Sequence, residues 1–295
     1  MAIPGSELSE ALANVVETAG KSVVRVDGGR RRALSGIAWS AHEVLTANHG
    51  VHQDEVLIGT GEAELKGKVK GRDPSRDLAL IEVDGALTPA QFGDGQALKV
   101  GHLVLQLARP GETVRATSGI VSVLGHRPWR SGRGGEIDRW LETDAPHQPG
   151  FSGGALTGLD GKVLGLVSTG LIRGTSVAVP YATLKNVAEQ LQKHGRVRQG
   201  YLGVSMQPVQ LPGDVKAATG EEIGLLVIGV EKGGPADQAG VLYGDTLLHL
   251  GDDSVKTLED LYSYLRSDHV GEKVPVKLWR NGKLETLQLT LGAKP

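Results

Sequence analysis

The chain of 295 residues contains no cysteine, and this absence excludes disulfide bonds, thiolate nucleophiles and cysteine-ligated zinc. Aromatic residues are also scarce, at 4% of the sequence, whereas glycine is abundant, with 43 residues. Many turn-forming glycines are typical of proteins built from short strands and argue against a helical bundle. We therefore expect a mainly β protein.

The sequence also lacks the features that mark membrane, secreted or nucleic-acid-binding chains. No segment approaches the roughly 18 uninterrupted apolar residues of a membrane span, so no integral membrane segment is expected. The N-terminus has no basic start followed by an apolar run, so no signal peptide is expected. The formal net charge of -2 gives no general attraction for nucleic acid, and no nucleic-acid partner, metal or cofactor is expected.

Between Lys21 and Val179 the sequence alternates short β-type runs with Gly, Asp and Pro. The Asp160-Gly161 pair is typical of a tight hairpin turn with a strand on each side. Many strands without intervening helices predict an antiparallel barrel or sandwich. The strand-like runs are Ser22–Val26, Glu43–Thr46, Glu55–Ile58, Leu78–Val83, Leu103–Leu107, Val114–Val123 and Val163–Ser168.

The first helix is predicted only after this region, at Tyr181–His194. Its apolar residues recur at i, i+3, i+4 and i+7, and Gly195 is suited to end it. These apolar residues are Leu184, Val187, Ala188 and Leu191. The helix is expected to pack against the β-rich domain.

The last 95 or so residues mix β and α patterns, so a second, smaller α/β domain is expected. Asn281-Gly282 predicts a type I′ hairpin turn. A short helix is predicted to begin at Pro235, and a longer one at Thr257–Arg266 has Leu258, Leu261, Tyr262 and Leu265 on one face. The strand-like runs are Leu202–Met206, Gly224–Val230, Thr246–Leu250, Val274–Trp279 and Leu284–Leu291.

The segment Pro149-Gly150-Phe151-Ser152-Gly153-Gly154 places a serine hydroxyl in a glycine-rich turn, where backbone N–H groups can face a reacting carbonyl. The string also matches the G-x-S-x-G elbow of α/β-hydrolases. That elbow requires a helix after the serine, and an acid and a histidine later in the chain. Here a hairpin follows Ser152, so the elbow interpretation is rejected.

A serine nucleophile needs a base and a group that orients the base. His49 follows the apolar Val44-Leu45 run, where a strand ends, and is preferred as the base. Asp77 directly precedes the buried run from Leu78 and is preferred as the orienting carboxylate. The order His49, Asp77, Ser152 is that of chymotrypsin-like double β-barrels.

Other residues compete for these roles. His42 and His52 are interpreted as exposed loop residues, and Asp73 as the start of the turn at Pro74. His147 can line the cleft, although a surface position is favoured for it.

Four segments in order resemble the HtrA/Deg family of serine proteases. They are Thr46-Ala47-Asn48-His49, Asp73–Ala79, Thr143-Asp144-Ala145 leading to Pro149–Gly154, and Ala178-Val179-Pro180. The resemblance implies an endoprotease for unfolded or damaged proteins, with His49 as base, Asp77 as orienting group and Ser152 as nucleophile. It also implies an oxyanion hole formed by the N–H groups of Gly150 and Ser152.

The chain departs from the family pattern at two places. The family usually has Asn where this chain has Phe151, which predicts a bulky ring beside the nucleophile. The segment Met1–Lys21 lacks the aromatic residues that help family members to trimerise, although a homotrimer is still expected. The family also implies a periplasmic or extracytoplasmic location if a targeting segment precedes this sequence, and a cytoplasmic one otherwise.

The head of the second domain, Tyr201-Leu202-Gly203-Val204, resembles the carboxylate-binding loop of PDZ domains, in which N–H groups receive the C-terminus of a peptide. Gly234–Val241 resembles the PDZ segment around its first helix. We expect C-terminal peptides as partners of this domain. The predicted boundaries are an N-terminal segment at 1–20, a chymotrypsin-like protease domain at 21–194, a linker at 195–200 and a PDZ domain at 201–295.

The sequence therefore predicts an ATP-independent serine endopeptidase with one PDZ domain. The alternative is a catalytically weak or inactive peptide-binding chaperone or adaptor that acts through the PDZ domain. The pocket for the substrate side chain before the scissile bond, the S1 pocket, is expected to use the turn before Ser152 and the run Ser168–Ile172. That lining has no carboxylate, so small or medium apolar residues are expected there, unless Arg173 comes close.

Overall fold

The computed structural model describes residues 5–29, 32–125, 128–130, 136–137, 139–172, 176–198, 200–265 and 269–293. These residues form two compact units, one extending to Val197 and the other beginning at Arg198. Each unit has its own hydrophobic core.

The first unit begins with a helix, α1 (Gly5–Ala19), and continues into a closed six-stranded antiparallel barrel. Val44 and Leu45 of one strand pair with Ile81 and Leu80 of the neighbouring strand, and all four side chains are buried. Because successive side chains point to opposite faces, these two strands are buried on both faces. The strands are β1 (Val23–Asp27), β2 (Leu34–Ser40), β3 (Glu43–Ala47), β4 (Glu55–Gly59), β5 (Glu64–Asp73) and β6 (Leu78–Val83).

A second closed barrel of six strands follows, in the order β11-β14-β13-β12-β7-β8. Its strands are β7 (Leu103–Ala108), β8 (Arg115–Leu124), β11 (Leu141–Thr143), β12 (Ala155–Thr157), β13 (Val163–Ser168) and β14 (Val177–Pro180), with the separate two-stranded pair β9 (Trp129–Arg130) and β10 (Glu136–Ile137). The two antiparallel barrels confirm the chymotrypsin-like fold class. The hairpin predicted at Asp160-Gly161 is confirmed, since β12 pairs with β13 across it.

One core runs between the two barrels. Leu45 and Leu80 of the first barrel belong to the same buried cluster as Leu107 and Leu166 of the second. The predicted second helix, α2 (Tyr181–His194), also buries its apolar face in this cluster. Gly195 ends the helix in the left-handed region, at φ 68°, and donates its N–H to the carbonyl of Leu191.

The expectation that no helix precedes Tyr181 is wrong, because α1 covers fifteen residues near the N-terminus. Leu8, Leu12, Val15 and Ala19 recur on one face of α1, and Val15 and Ala19 are buried in the shared core. The helix is therefore stabilised by the packing of its apolar face against the shared core.

The second unit is built on a sheet ordered β16-β17-β18-β20-β21, with β19 paired to β18 and a separate β15–β22 pair. Its elements are β15 (Gly200–Tyr201), β16 (Val204–Gln210), α3 (Gly213–Thr219), β17 (Ile223–Val230), α4 (Pro235–Gln238), β18 (Thr246–Leu250), β19 (Asp253–Ser254), α5 (Leu258–Tyr264), β20 (Lys273–Arg280), β21 (Lys283–Thr290) and β22 (Gly292–Ala293).

The turn and helix predictions for this unit are largely confirmed. Asn281 and Gly282 have φ values of 48° and 81°, as a type I′ turn between β20 and β21 requires. The helix predicted at Thr257–Arg266 is observed as α5, whose N-terminus is capped by Thr257, while Arg266 lies outside the described residues. Tyr262 is exposed rather than part of the core.

Within the described ranges, no helix combines the length and the apolar character needed to cross a membrane.

We predict that Leu184→Ala destabilises the first unit by about 2–5 kcal/mol, because Leu184 is fully buried and the substitution leaves a cavity in the shared core. Urea denaturation followed by tryptophan fluorescence measures this effect, since Trp39, Trp129 and Trp140 all belong to the first unit. Lys185→Ala, on the exposed side of α2, is the matched control and should change the stability by less than about 0.5 kcal/mol. Equal effects of the two substitutions would contradict the assignment of α2 to the core.

Candidate active site

His49 and Asp77 meet at one end of the first barrel. Strands β3 and β6 pair antiparallel through Ala47 and Leu78, so the residues just beyond this pair stand side by side. His49 lies in a short 3-10 turn after β3, and its Nδ1 is 2.7 Å from Oδ2 of Asp77. The backbone N–H of His49 donates to Oδ1 of the same carboxylate at 2.8 Å. Two hydrogen bonds to one buried carboxylate fix the orientation of the His49 ring.

The backbone at Asp77 is unusual, because its φ of 57° lies in the left-handed region. Its carbonyl accepts the N–H of Asn48 at 3.1 Å, which ties the turn after β3 to the start of β6. The Asp77 side chain is only 7% exposed. Such a conformation in a non-glycine residue persists only where the surroundings determine it.

The second barrel also contacts this carboxylate. The hydroxyl of Ser168, at the end of β13, donates to Oδ2 of Asp77. Gly170 passes so close that a Cβ atom there would stand 2.6 Å from Oδ2 of Asp77 and 2.8 Å from Nδ1 of His49. Only glycine fits against the His49–Asp77 pair at this position.

The competing residues stand elsewhere. His42 is exposed and its Nδ1 lies 3.1 Å from the carbonyl of Gly85, and His52 is also exposed. Asp73 is buried, but its carboxylate accepts hydrogen bonds from the backbone N–H and hydroxyl of Ser75 and from Arg76. The structure therefore brings together His49 and Asp77, and it places His42, His52 and Asp73 in local structural contacts.

The loop around Ser152 is held by the first barrel. Gly150 and Gly153 have φ values of 89° and 86°, which only glycine adopts easily. The hydroxyl of Ser35, on β2, donates to the carbonyl of Gly150 at 2.8 Å and accepts the N–H of Arg109 at 2.8 Å. The N–H of Ser35 donates to the carbonyl of Ser152 at 3.1 Å.

Three N–H groups around Ser152 donate to backbone carbonyls. The N–H groups of Phe151 and Gly154 donate to the carbonyls of Gln148 and Phe151, at 3.1 and 2.9 Å, and the N–H of Gly153 donates to the carbonyl of Val167. Among the described residues, the N–H groups of Gly150 and Ser152 have no protein acceptor. Two N–H groups free of protein acceptors in one turn beside a serine hydroxyl are suited to an oxyanion that develops there.

The Ser152 side chain faces the end of β13. Its Oγ lies 3.2 Å from Oγ1 of Thr169 and 3.4 Å from Nε2 of His147. Thr169 directly follows Ser168, which contacts Asp77. Consecutive residues therefore contact the serine and the carboxylate, and this brings Ser152 and the His49–Asp77 pair to the same end of β13.

His147 lies in the cleft and not on the surface position that the sequence favoured. Its Nδ1 is 3.5 Å from the hydroxyl of Ser176, and its ring meets that of Phe151 edge-on at 6.0 Å. Burial, and secondarily the nearby charge of His49, lower the pKa of His147. The bulky ring expected beside the nucleophile, that of Phe151, is buried at 1% exposure and contacts the ring of His147.

In the second unit, the loop Tyr201–Val204 is shaped by its own backbone. Gly203 has a φ of 74°, and its carbonyl accepts the N–H of Glu231 at 2.8 Å. The carbonyl of Leu202 accepts the N–H of Ala236 at 2.9 Å, and the Tyr201 hydroxyl donates to the Glu231 carboxylate. For the described part of the chain, the N–H groups of Leu202 and Gly203 have no protein acceptor. They are available to a carboxylate.

Ser35 and Ser176 were not identified from the sequence, and Ser168 and Thr169 were expected only as part of the pocket lining. Their contacts with Asp77 and Ser152 join segments that are distant in the chain. Arg173, considered there as a neighbour of the pocket, lies outside the described residues. No group of three or more His, Asp and Glu side chains suited to a metal ion occurs among the residues that the structure describes.

Comparisons with known proteins match both units. Residues 34–166 match the trypsin-like peptidase domain family and residues 200–291 the PDZ domain family, so the expected second domain is a PDZ domain. A probable periplasmic serine endoprotease, DegP-like, from Pseudomonas putida (strain W619) is 35% identical over 261 residues, which are 85% of this chain and 54% of that protein. A protein of the same name from Brucella abortus (strain 2308) is 34% identical over 268 residues, covering 85% of this chain and 50% of its own length. The chain thus spans about half the length of these curated relatives.

Solved structures are similar over nearly the whole chain. The serine endoprotease from Yersinia pestis has a TM-score of 0.79 and 26% identity, and 100% of both chains is covered. The HtrA-type protease AlgW with a decapeptide has a TM-score of 0.77 and 26% identity, covering 96% of this chain and 98% of that one.

We predict that the pKa of His147 lies below the 6.5 of a free imidazole, because the cationic form is disfavoured by burial and by His49. His49→Gln removes one cause and should raise the pKa of His147, although burial still holds it below the ordinary value. NMR titration of the ring protons, assigned with His147→Gln, measures both values. His42→Gln serves as the control that leaves the pKa unchanged, and a wild-type value at or above 6.5 would contradict the placement of the ring.

Proposed function

Because the chain belongs to the HtrA/Deg family of serine proteases, we propose that it is an ATP-independent serine endopeptidase that cleaves unfolded or damaged proteins. The observation that carries the proposal is the cleft formed at the end of β13. There Ser168 contacts Asp77 and the adjacent Thr169 contacts Ser152, which supports a catalytic arrangement in which Ser152 acts together with the His49–Asp77 pair.

His49 is the proposed general base. Its Nδ1 is engaged by the Asp77 carboxylate, which holds the proton on Nδ1 and leaves Nε2 as the basic nitrogen. Nε2 takes the proton of Ser152 as Oγ attacks the scissile carbonyl, and later delivers it to the leaving amine. Asp77 stabilises the imidazolium that forms in between.

The N–H groups of Gly150 and Ser152 are the proposed oxyanion hole. They lie on either side of Phe151 in a turn that Ser35 holds from the other barrel. Donors that are already oriented stabilise the negative charge on the tetrahedral intermediate without reorganisation. Losing one such donor typically lowers turnover by about 10²- to 10³-fold, so the order of this loop is decisive for activity.

The alternative function is a peptide-binding chaperone or adaptor with an inactive barrel. It was motivated by Phe151, whose ring was expected to disturb the nucleophile. Since this ring is buried, it does not cover the Ser152 hydroxyl, and the reason for favouring an inactive barrel is weakened.

The proposed role of the PDZ domain is to bind the C-termini of substrate or regulatory peptides. The unpaired N–H groups of Leu202 and Gly203 are suited to a terminal carboxylate, and β16 follows directly as the strand with which a peptide backbone can pair. Helix α5 packs beside β16 and forms the other side of such a groove. A homotrimer and a periplasmic location complete the proposal, on the basis of the family and of the relatives' names.

We predict that the wild-type protein digests casein and that Ser152→Ala, His49→Ala and Asp77→Asn each lower the turnover by about 10⁴-fold or more. The His42→Gln variant, altered at an exposed histidine outside the cleft, is the control with unchanged turnover. Release of labelled casein fragments measures the rate. Absence of cleavage by the wild type, together with suppressed aggregation of unfolded protein, would favour the chaperone alternative.

We predict that decapeptides ending in Val, Ala or Phe bind the full chain at least about tenfold more tightly with a free C-terminus than with an amidated one. The reason is that hydrogen bonds to a charged acceptor are worth about 1.5–3 kcal/mol each. Fluorescence anisotropy with the uncleaving Ser152→Ala variant measures both affinities. Equal affinities for the free and amidated forms of every peptide would exclude carboxylate capture by Tyr201–Val204.

A further inference from the structure

The wall of the cleft beside Ser152 is polar at a place where the sequence suggested an apolar pocket. His147 comes from the turn before the nucleophile, Thr169 from the end of β13 and Ser176 from the start of β14. Behind them, the Gln106 amide donates to the hydroxyl of Ser176 at 2.9 Å and to the carbonyl of Ala145 at 3.1 Å. These residues form one connected group, which we call the His147 wall.

The hydrogen bonds of the His147 wall are incompletely satisfied. The contacts of His147 with Ser152 and Ser176 measure 3.4 and 3.5 Å, which is long for hydrogen bonds. Gln106 is fully buried, and its Oε1 has no partner among the described residues. Burying polar groups with weak or missing partners is costly, so the wall gains from a ligand that brings a better partner.

The position of the wall indicates which ligand this is. In a chymotrypsin-like protease, the side chain before the scissile bond (P1) enters a pocket next to the nucleophile. Here the segment before Ser152, the end of β13 and the start of β14 meet next to the Ser152 hydroxyl. His147 can therefore reach the tip of a P1 side chain while Ser152 attacks the carbonyl of the same residue.

On the basis of the proposed proteolytic function, we propose that His147 determines cleavage specificity by donating a hydrogen bond to an oxygen at the tip of the P1 side chain, and so favours Glu and Gln. A neutral imidazole offers one N–H, and a protonated one also offers a positive charge to a carboxylate. Ser176 adds a hydroxyl on the other side of the ring. An apolar P1 side chain would leave the His147 ring with only its long contacts to Ser152 and Ser176.

Phe151 is a positioning residue for this wall. Its ring is buried and meets the His147 ring edge-on, at an interplanar angle of 67°. Such aromatic contacts favour a defined ring orientation. Phe151, where the family usually has Asn, thus restricts the imidazole to the direction of Ser152 and Ser176.

A role for His147 as the base is less consistent with its surroundings. Its Nδ1 faces the hydroxyl of Ser176, whereas Nδ1 of His49 faces the buried carboxylate of Asp77. A carboxylate stabilises an imidazolium far better than a hydroxyl does. The proton of Ser152 is therefore assigned to His49, and the side chain of the substrate to His147.

The test is a set of fluorogenic peptides that differ only at P1, with Glu, Gln, Val, Ala, Leu or Lys. For the wild type we expect kcat/KM for Glu and Gln to exceed that for Val by about tenfold or more, as expected for one hydrogen bond to a charged or polar group. His147→Leu should lower the Glu/Val and Gln/Val ratios at least tenfold. A larger fall of the Glu/Val ratio would identify the carboxylate as the preferred acceptor, and a larger fall of the Gln/Val ratio the amide.

Ser176→Ala is a second variant that keeps the test valid if His147→Leu does not fold, and it should lower both ratios several-fold. His42→Gln is the control with unchanged ratios. A wild-type preference for Val, Ala or Leu, or ratios unaffected by both variants, would overturn the inference. Equal loss of cleavage on all six peptides by a folded His147→Leu would instead assign His147 to the base. If the wild type cleaves none of the peptides, and labelling of Ser152 by a fluorophosphonate also fails, the proteolytic function itself is wrong.

Discussion

The buried carboxylate of Asp77 is the constraint on which the arrangement of the cleft depends. It accepts hydrogen bonds from the backbone and ring of His49 in the first barrel and from the hydroxyl of Ser168 in the second. A buried charge without these donors would cost several kcal/mol, so the Asp77 carboxylate holds His49 of the first barrel and Ser168 of the second at one point. The left-handed backbone conformation of Asp77 is locally unfavourable, and these hydrogen bonds maintain it.

Both barrels also contribute to the position of the nucleophile. Ser152 belongs to the second barrel, but Ser35 of the first barrel bonds both Gly150 and Ser152 through its side chain and its backbone. The chain has no cysteine, so no disulfide bond supports this junction. Hydrogen bonds and the shared apolar core hold the two barrels together. Glycines at 150, 153 and 170 provide the space that such close approach requires.

Much of this could be predicted from the sequence, because the informative features were local. His49 and Asp77 were selected over His42 and Asp73 because each adjoins a buried strand, and the hairpins followed from Asp160-Gly161 and Asn281-Gly282. The α1 helix was missed although its apolar spacing was present. The role of Ser35, the contact of Ser168 with Asp77 and the position of His147 could not be predicted, because each depends on which distant segments the barrels bring together. The ring of Phe151 was misplaced for the same reason.

The hydrogen bonds between Ser35 and the nucleophile loop have a consequence while the chain is being synthesised. Because the nucleophile loop is shaped by a residue of the other barrel, neither barrel alone can assemble the cleft. A chain that is half made, or locally unfolded, exposes cleavable segments but has no organised site with which to cut them. For the proposed protease, the barrel junction therefore acts as a safeguard against self-digestion.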